Sequence, residues 1–171
     1  MTDDVAPFAL DAELVFRGRP TRVAGRLRLE ADSGQVTHRY HLSDGAGAPV
    51  LVEQAGDRFA LLRPLPSAAE PETAGNTVLV GAEKYTLVGV RRLAMAEALG
   101  LISSGTPKNP LLLSGMFEGP AGTLMRELVP GTTRQVYYLV KPLPPGSLVT
   151  SLEDAAARAA RRAAASRTDD D

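Results

Sequence analysis

Few residues in this chain are equipped for chemistry, and two of them recur in matching contexts: Glu53 follows Val50-Leu51-Val52, and Glu127 follows Leu124-Met125-Arg126. A pair of carboxylates can act as general acid and general base if the two stretches face each other across a cleft. In that arrangement Arg26 and Tyr40 supply further polar groups for a small-molecule site between the stretches. The preferred reading is structural. Each carboxylate sits at a strand end and is bonded to backbone amides or to an arginine, because a buried carboxylate needs a partner and arginines are abundant here.

His38 and His41 are the only histidines. Their spacing invites a metal reading, but residues three apart on a strand point to opposite faces, so one ion cannot reach both without a bulge. No metal site is therefore assigned. The chain has no cysteine, which removes disulfides, thiolate nucleophiles and cysteine-based metal centres together. Phosphate-binding glycine loops, nucleophile elbows and His-Glu-x-x-His helices are missing as well. No catalytic residue and no cofactor follow from the sequence, and the chain is read as a non-enzyme.

Arg22, Arg26 and Arg28 form an alternating stripe, with Arg17, Arg19 and Arg39 nearby in the chain. Guanidinium groups bind phosphates and carboxylates bidentately, so such a face could grip an anionic lipid, a nucleic acid or an acidic partner. The competing reading is an ordinary solvated face. A net charge of −1 and an aromatic content of 5% disfavour nucleic acid, which needs a basic field and stacking platforms. The residues weighed for binding are thus Arg22, Arg26, Arg28, Arg39, Tyr40, His41, Glu53 and Glu127.

The elements that must position these groups are mostly strands. Val23, Gly25, Leu27 and Leu29 alternate with Arg22, Ala24, Arg26 and Arg28, the period-two pattern of a strand with one buried and one wet face. Val36, His38, Tyr40 and Leu42 form one face of the next strand, and Thr37, Arg39 and His41 form the other. Ser43-Asp44-Gly45-Ala46-Gly47 has turn chemistry, and residues 50–53 and 59–62 read as a hairpin around Ala55-Gly56-Asp57. Further on, residues 77–80, 84–90, 111–117, 123–128 and 135–140 repeat the strand signature. The segment 91–104 is ambiguous, because Arg91 to Leu99 has high helix propensity and Gly100 stands where a helix would stop, whereas the match to Leu27 through Ala31 argues for strand; strand is favoured at the start, with room for an irregular or helical excursion to Ser104.

These elements fall into two copies. Leu14-Val15-Phe16-Arg17-Gly18 and Thr21-Arg22-Val23-Ala24-Gly25-Arg26-Leu27 return as Val78-Leu79-Val80-Gly81 and Tyr85-Thr86-Leu87-Val88-Gly89-Val90-Arg91. The endings match as well, as Leu61-Leu62-Arg63-Pro64-Leu65-Pro66 and Leu139-Val140-Lys141-Pro142-Leu143-Pro144. A spacing of roughly 65 residues is too long for a solenoid unit and indicates a duplicated small domain. The expected organisation is an N-terminal tail (1–8), a first β unit (9–66), a polar connector (67–76), a second β unit (77–145) and an Ala/Arg-rich segment with an acidic tail (146–171). In the last, Thr150-Ser151-Leu152-Glu153 resembles a capping box that opens a C-terminal helix.

In their order, Val15-Phe16-Arg17-Gly18, Val23-Ala24-Gly25-Arg26-Leu27, His38-Arg39-Tyr40-His41-Leu42 and Leu51-Val52-Glu53 resemble the bacterial domain of unknown function DUF4178. Tyr85-Thr86-Leu87 and Leu124-Met125-Arg126-Glu127 repeat the pattern more loosely, and the resemblance covers roughly residues 9–145. The family's tryptophan-acidic-tyrosine strand appears here as Thr37-His38-Arg39-Tyr40, without the tryptophan and the acidic residue. The resemblance transfers no catalytic residue; it implies an accessory role in envelope or membrane stress.

The expected fold is mainly β: two similar small SH3-like or open-barrel units from an internal duplication, packed on each other and followed by a C-terminal α-helix. The leading functional expectation is a non-enzymatic binding or scaffold module that docks a protein partner. Peripheral membrane association is compatible with it, and the sequence sets no oligomeric state. The first residues are acidic and lack the apolar run of a secretory signal, so the expected location is the cytoplasm.

Overall fold

A computed structural model of the chain describes residues 7–47, 49–100, 111–128 and 135–149. The first half holds β1 (Glu13–Phe16), β2 (Arg19–Ala31), β3 (Val36–Ser43), β4 (Val50–Ala55) and β5 (Arg58–Pro64). A 3-10 turn at Ser67–Ala69 and a short strand, β6 (Glu72–Ala74), lead into the second half. That half holds β7 (Thr77–Val80), β8 (Glu83–Gly100), β9 (Leu111–Gly119), β10 (Gly122–Leu128) and β11 (Gln135–Pro142). A final strand, β12 (Leu148–Val149), returns to pair with β1.

Every pairing is antiparallel, and the strands form one sheet whose order runs β12-β1-β2-β3-β4-β5-β11-β10-β9-β8-β7-β6. An additional ladder between β2 and β8 closes the middle of that sheet into an eight-stranded barrel. Four barrel strands come from each half, and the two seams, β5 with β11 and β2 with β8, join the halves. The protein is therefore mainly β, as its alternation pattern requires. The two halves do not close separately, however; each is a half-barrel that finds its missing edge in the other, which leaves fewer strand edges to solvent.

Local chemistry explains matching features of the halves. β1 and β2 turn through Arg17 and Gly18, both at positive φ, the mirror-image turn that suits the twist of a two-residue hairpin. β7 and β8 turn through Gly81, again at positive φ. The ladder slips by one residue between Val23 and Gly25 in β2 and between Leu87 and Gly89 in β8. These bulges fall at the same place in Val23-Ala24-Gly25-Arg26-Leu27 and Leu87-Val88-Gly89-Val90-Arg91. Both β5 and β11 end on the proline of the repeated Arg/Lys-Pro sequence, as the missing N–H predicts.

Several expectations are corrected. The helix-prone stretch 91–100 is strand throughout, because it pairs with β9 as far as Ala94 and with β2 from Leu93 to Gly100. Two ladders outweigh a helix propensity of a few tenths of a kcal/mol per residue. The connector contains β6, paired with β7. Phe8, assigned to an N-terminal tail, is core. The loop from Ser103 to Pro110 and the C-terminal Ala/Arg helix lie outside the described residues.

Three apolar clusters hold the fold. Phe8, Leu14, Phe16, Tyr40, Leu42, Val52 and Leu61 pack on the outer face of the first half, beneath β1, β12 and residues 7–12. On the second half, Val78, Tyr85, Phe117 and Leu124 pack beneath β7. Leu29, Leu93 and Leu112 fill the interior beside the β2–β8 seam. An eight-stranded barrel is just wide enough for side chains to fill it, so what remains inside is decided residue by residue.

Candidate functional site

The interior of the barrel carries charge. Arg39 projects inward from β3 with its side chain 5% exposed, and its Nη1 donates to Glu127 Oε1 at 2.7 Å. Glu127 lies on β10, four strands away around the barrel in either direction, so this ion pair spans the diameter. Arg39 Nη2 donates to Glu53 Oε2 at 3.0 Å on the adjacent strand β4, and Arg91 Nη2 approaches Glu53 Oε1 at 3.8 Å from β8. Two recurring carboxylates, one from each half, thus converge on a single guanidinium.

Burial alone would lower the pKa of that guanidinium; Glu127 and then Glu53 outweigh it and hold Arg39 charged, above its ordinary value. His41 faces the same interior, and its pKa is lowered, first by burial and then by Arg39. At neutral pH this places a neutral imidazole beside a fixed cation. Among the described residues, Arg39 Nε, Arg91 Nε, His41 Nδ1, Ser114 Oγ and Glu127 Oε2 are buried with no hydrogen-bond partner. The cluster is nearly closed on itself in charge but not in hydrogen bonds.

Tyr40 and Arg26 lie on the opposite surface of the sheet. The Tyr40 hydroxyl donates to Gln54 Oε1 at 2.6 Å and accepts from the Phe8 N–H at 3.1 Å. The rings of Phe8 and Tyr40 stand 5.2 Å apart, and Phe59 stacks on the far side of Phe8 at 5.9 Å. Burial pushes the phenol up to about 12, against the Phe8 N–H and Arg26, so it stays protonated at neutral pH. Arg26 clamps the same segment: Nη1 donates to the Phe8 carbonyl at 3.0 Å and Nη2 to Glu97 Oε1 at 2.6 Å. The four polar groups weighed for a cleft therefore divide, the carboxylates inside and Arg26 with Tyr40 outside under Phe8.

The arginine stripe divides too. Arg22 pairs with Asp11 at 3.3 Å, Arg26 with Glu97, and Arg28 with Glu30 at 2.9 Å. Arg39 is on the other face altogether. The stripe is thus a set of ion pairs and presents no open cationic field. His38 lies outside and stacks on Tyr40, with its pKa lowered by burial and then by Arg26 and Arg28. The two histidines occupy opposite faces, as their spacing predicts, and no group of three or more metal-ligating side chains occurs among the described residues.

Sequence reasoning passed over Arg91, Ser114, Glu97 and Phe8. Arg91 left a readable signal: it occupies the repeat position held by the buried Leu27, and an arginine at an apolar position needs an internal partner. Sequence reasoning also passed over a surface. On β8, Val88 and Val90 are 57% and 64% exposed, beside the exposed Arg92. On that edge β7 pairs with residues 83–86 and β2 with residues 93–100, which leaves residues 88–92 without a strand partner among the described residues.

Comparison with protein-family models, with curated proteins and with solved structures finds no match.

Proposed function

We propose that the chain is a non-enzymatic binding or scaffold module that docks a protein partner. One observation carries this reading: the polar groups able to do chemistry are tied to one another, while the strand edge at Val88 and Val90 is not. Glu53 and Glu127 share Arg39, so neither is free to exchange a proton with a substrate without breaking the barrel's central ion pairs. Tyr40 is sealed, and Arg22, Arg26 and Arg28 are matched by carboxylates, which argues against nucleic acid and anionic lipid. We infer that the matched hairpins and bulges reflect an internal duplication. Its two β units fused into one barrel. The resemblance to DUF4178 adds an accessory role in envelope or membrane stress, exercised in the cytoplasm.

Affinity purification of the tagged chain from its native host, followed by reconstitution of any co-purifying protein with the purified chain, tests this reading. A partner that binds in a defined stoichiometry is expected. A chain that stays solitary under several envelope stresses overturns the proposal.

A second reading, a small polar ligand held between the halves, is favoured by the five unpartnered buried atoms around Arg39. It predicts that a polar metabolite raises the melting temperature of the wild-type chain and not that of Glu127→Gln.

A further inference from the structure

We infer that the open edge of β8, residues 88–92, is a β-addition site for an extended partner segment that carries apolar and acidic residues on the same face. This inference rests on the scaffold reading and names the surface and the chemistry of its partner.

The edge is open because the halves differ in one length. β8 has 18 residues and β2 has 13, so β8 covers β2 as far as Ala31, whereas β2 turns away before reaching Arg92. Leu87 N–H donates to the Asn76 carbonyl at 2.8 Å, and beyond it no described residue pairs with this edge until Leu93. The gap is about 17 Å long at roughly 3.3 Å per residue, room for a short strand. Exposed N–H and C=O groups on such an edge are a template for another chain, and that is how strand-addition modules bind peptides.

The first half shows what fits there. Gly25 to Arg28, the residues of β2 that match 89–92, pair on this edge with residues 97–100 of β8, so a strand fits there. Residues 7–12 are joined to β2 just before that stretch, at the position matched by Leu87: Asp11 N–H donates to the Val23 carbonyl at 2.9 Å, and Val23 N–H to the Ala12 carbonyl at 3.0 Å. The same segment puts Phe8 over the sheet. In the second half, the residues before β7 are used differently, because β6 pairs with the outer edge of β7 and no described segment folds back over Val90. On the first half that outer edge is taken by β12, which frees residues 7–12 to fold inward.

Charge selects the partner. Arg92 ends the open edge on the face it shares with Val90 and pairs with no carboxylate among the described residues, Arg126 lies over Phe117 at 5.2 Å, and Arg91 turns inward to Glu53. Two copies paired antiparallel through Val90 would bring the Arg92 side chains of both onto one short ladder, and cations on an edge are a known block to self-pairing. A strand that carries apolar and acidic side chains on one face meets Val90 and Arg92 together.

Random peptides displayed against the full chain, followed by fluorescence anisotropy of the selected sequences, test the proposal. Peptides with an apolar and an acidic residue two positions apart are expected, bound roughly tenfold or more weakly by Val90→Glu and by Arg92→Glu. Both positions are exposed, and unchanged melting temperatures confirm that the variants fold. Selection of no peptide, or peptides that bind both variants as tightly as wild type, overturns the proposal. A synthetic peptide of residues 150–171 that perturbs amide signals at residues 88–92 assigns the edge to the chain's own tail and overturns it as well. Self-association abolished by Val90→Glu does the same in favour of a second copy. A co-purified partner held equally by wild type and Val90→Glu removes the edge from the account and leaves the scaffold reading standing.

Discussion

The two outer faces of the barrel start from matching strands and end differently. On the first half, Arg26 and Tyr40 are pinned beneath Phe8, and the surface is finished. On the second, repeat and ladder register place Val90 and Gly115 at the corresponding positions, and Val90 is 64% exposed. The same backbone thus supports a sealed face and an open one, and the difference lies in side chains and in where the preceding segment goes. Between the two faces lies the interior, where each half contributes one carboxylate to the same arginine. The halves are alike in what builds the barrel and unlike in what they offer to solvent.

The strongest way to break this arrangement is to cut the tie between the halves. Arg39→Met leaves Glu53 and Glu127 buried near each other with Arg91 as their only compensating cation, and the expected loss is about 3–5 kcal/mol in urea-melt stability. Adding Glu127→Leu removes the stranded charge and leaves Glu53 with Arg91. The double variant is expected to recover most of that loss, and a double-mutant cycle reads the coupling. If Arg39→Met alone melts like wild type, the ion cluster does not hold the halves together.

Unsealing the first face comes next. Phe8→Ala removes a buried ring that touches Tyr40 and Phe59, and it should cost about 2–4 kcal/mol, toward the low end for a core phenylalanine because residues 7–12 can detach. The variant turns the first face into an imitation of the second. Hydrogen exchange should then rise at Asp11 and Val23 and stay unchanged along β8. Tyr40→Phe sharpens the same point. It keeps the ring but deprives the Phe8 N–H and Gln54 Oε1 of the hydroxyl, with an expected loss of about 1–2 kcal/mol.

How far these features were legible in the chain follows from how local their causes are. Alternation in 22–29 and 36–42 gave the strands, and the matched Val-Ala-Gly-Arg-Leu and Leu-Val-Gly-Val-Arg segments marked what proved to be two bulges. The recurrence of Glu53 and Glu127 was visible, and so was the demand that a buried carboxylate find an arginine. Which arginine was not visible: Arg39 reaches Glu127 only because β5 pairs with β11 and β2 with β8, contacts between residues far apart in sequence. Residues 91–100 were legible as strand only at their start, because their alanines and Gly100 carry a helical signal that two flanking ladders override. Phe8 was invisible as core, since one aromatic within Val5-Ala6-Pro7-Phe8-Ala9-Leu10 has no alternation to betray the face it covers.

Acid should act on the interior before it acts on the open edge. His41 has a folded-state pKa below its ordinary 6.5, so the unfolded chain binds the extra proton first. Its contribution to stability is complete above pH 6.5 and is lost as the pH falls from there toward the lowered value. His38 has the same sign from the outer face, with Arg26 and Arg28 as its neighbours. Urea midpoints measured from pH 7.5 down to 5 should therefore decline, and His41→Gln should flatten part of that decline. A decline unchanged in His41→Gln would assign it to His38 and the carboxylates.

The smallest expected effect is also the most diagnostic of the contrast between the faces. Val90→Thr keeps a β-branched side chain on an exposed position and should change stability by no more than about 0.5 kcal/mol. The matching change on the first half, Arg26→Val, deprives the Phe8 carbonyl and Glu97 of their guanidinium. Because Glu97 is half-exposed and can turn to water, the expected cost is about 1–2 kcal/mol, well short of the penalty for stranding a buried charge. Equal costs at the two positions would mean that the open face is as tightly built as the sealed one. A cost at Arg26 alone means that the barrel is maintained by one face and leaves the other free to bind.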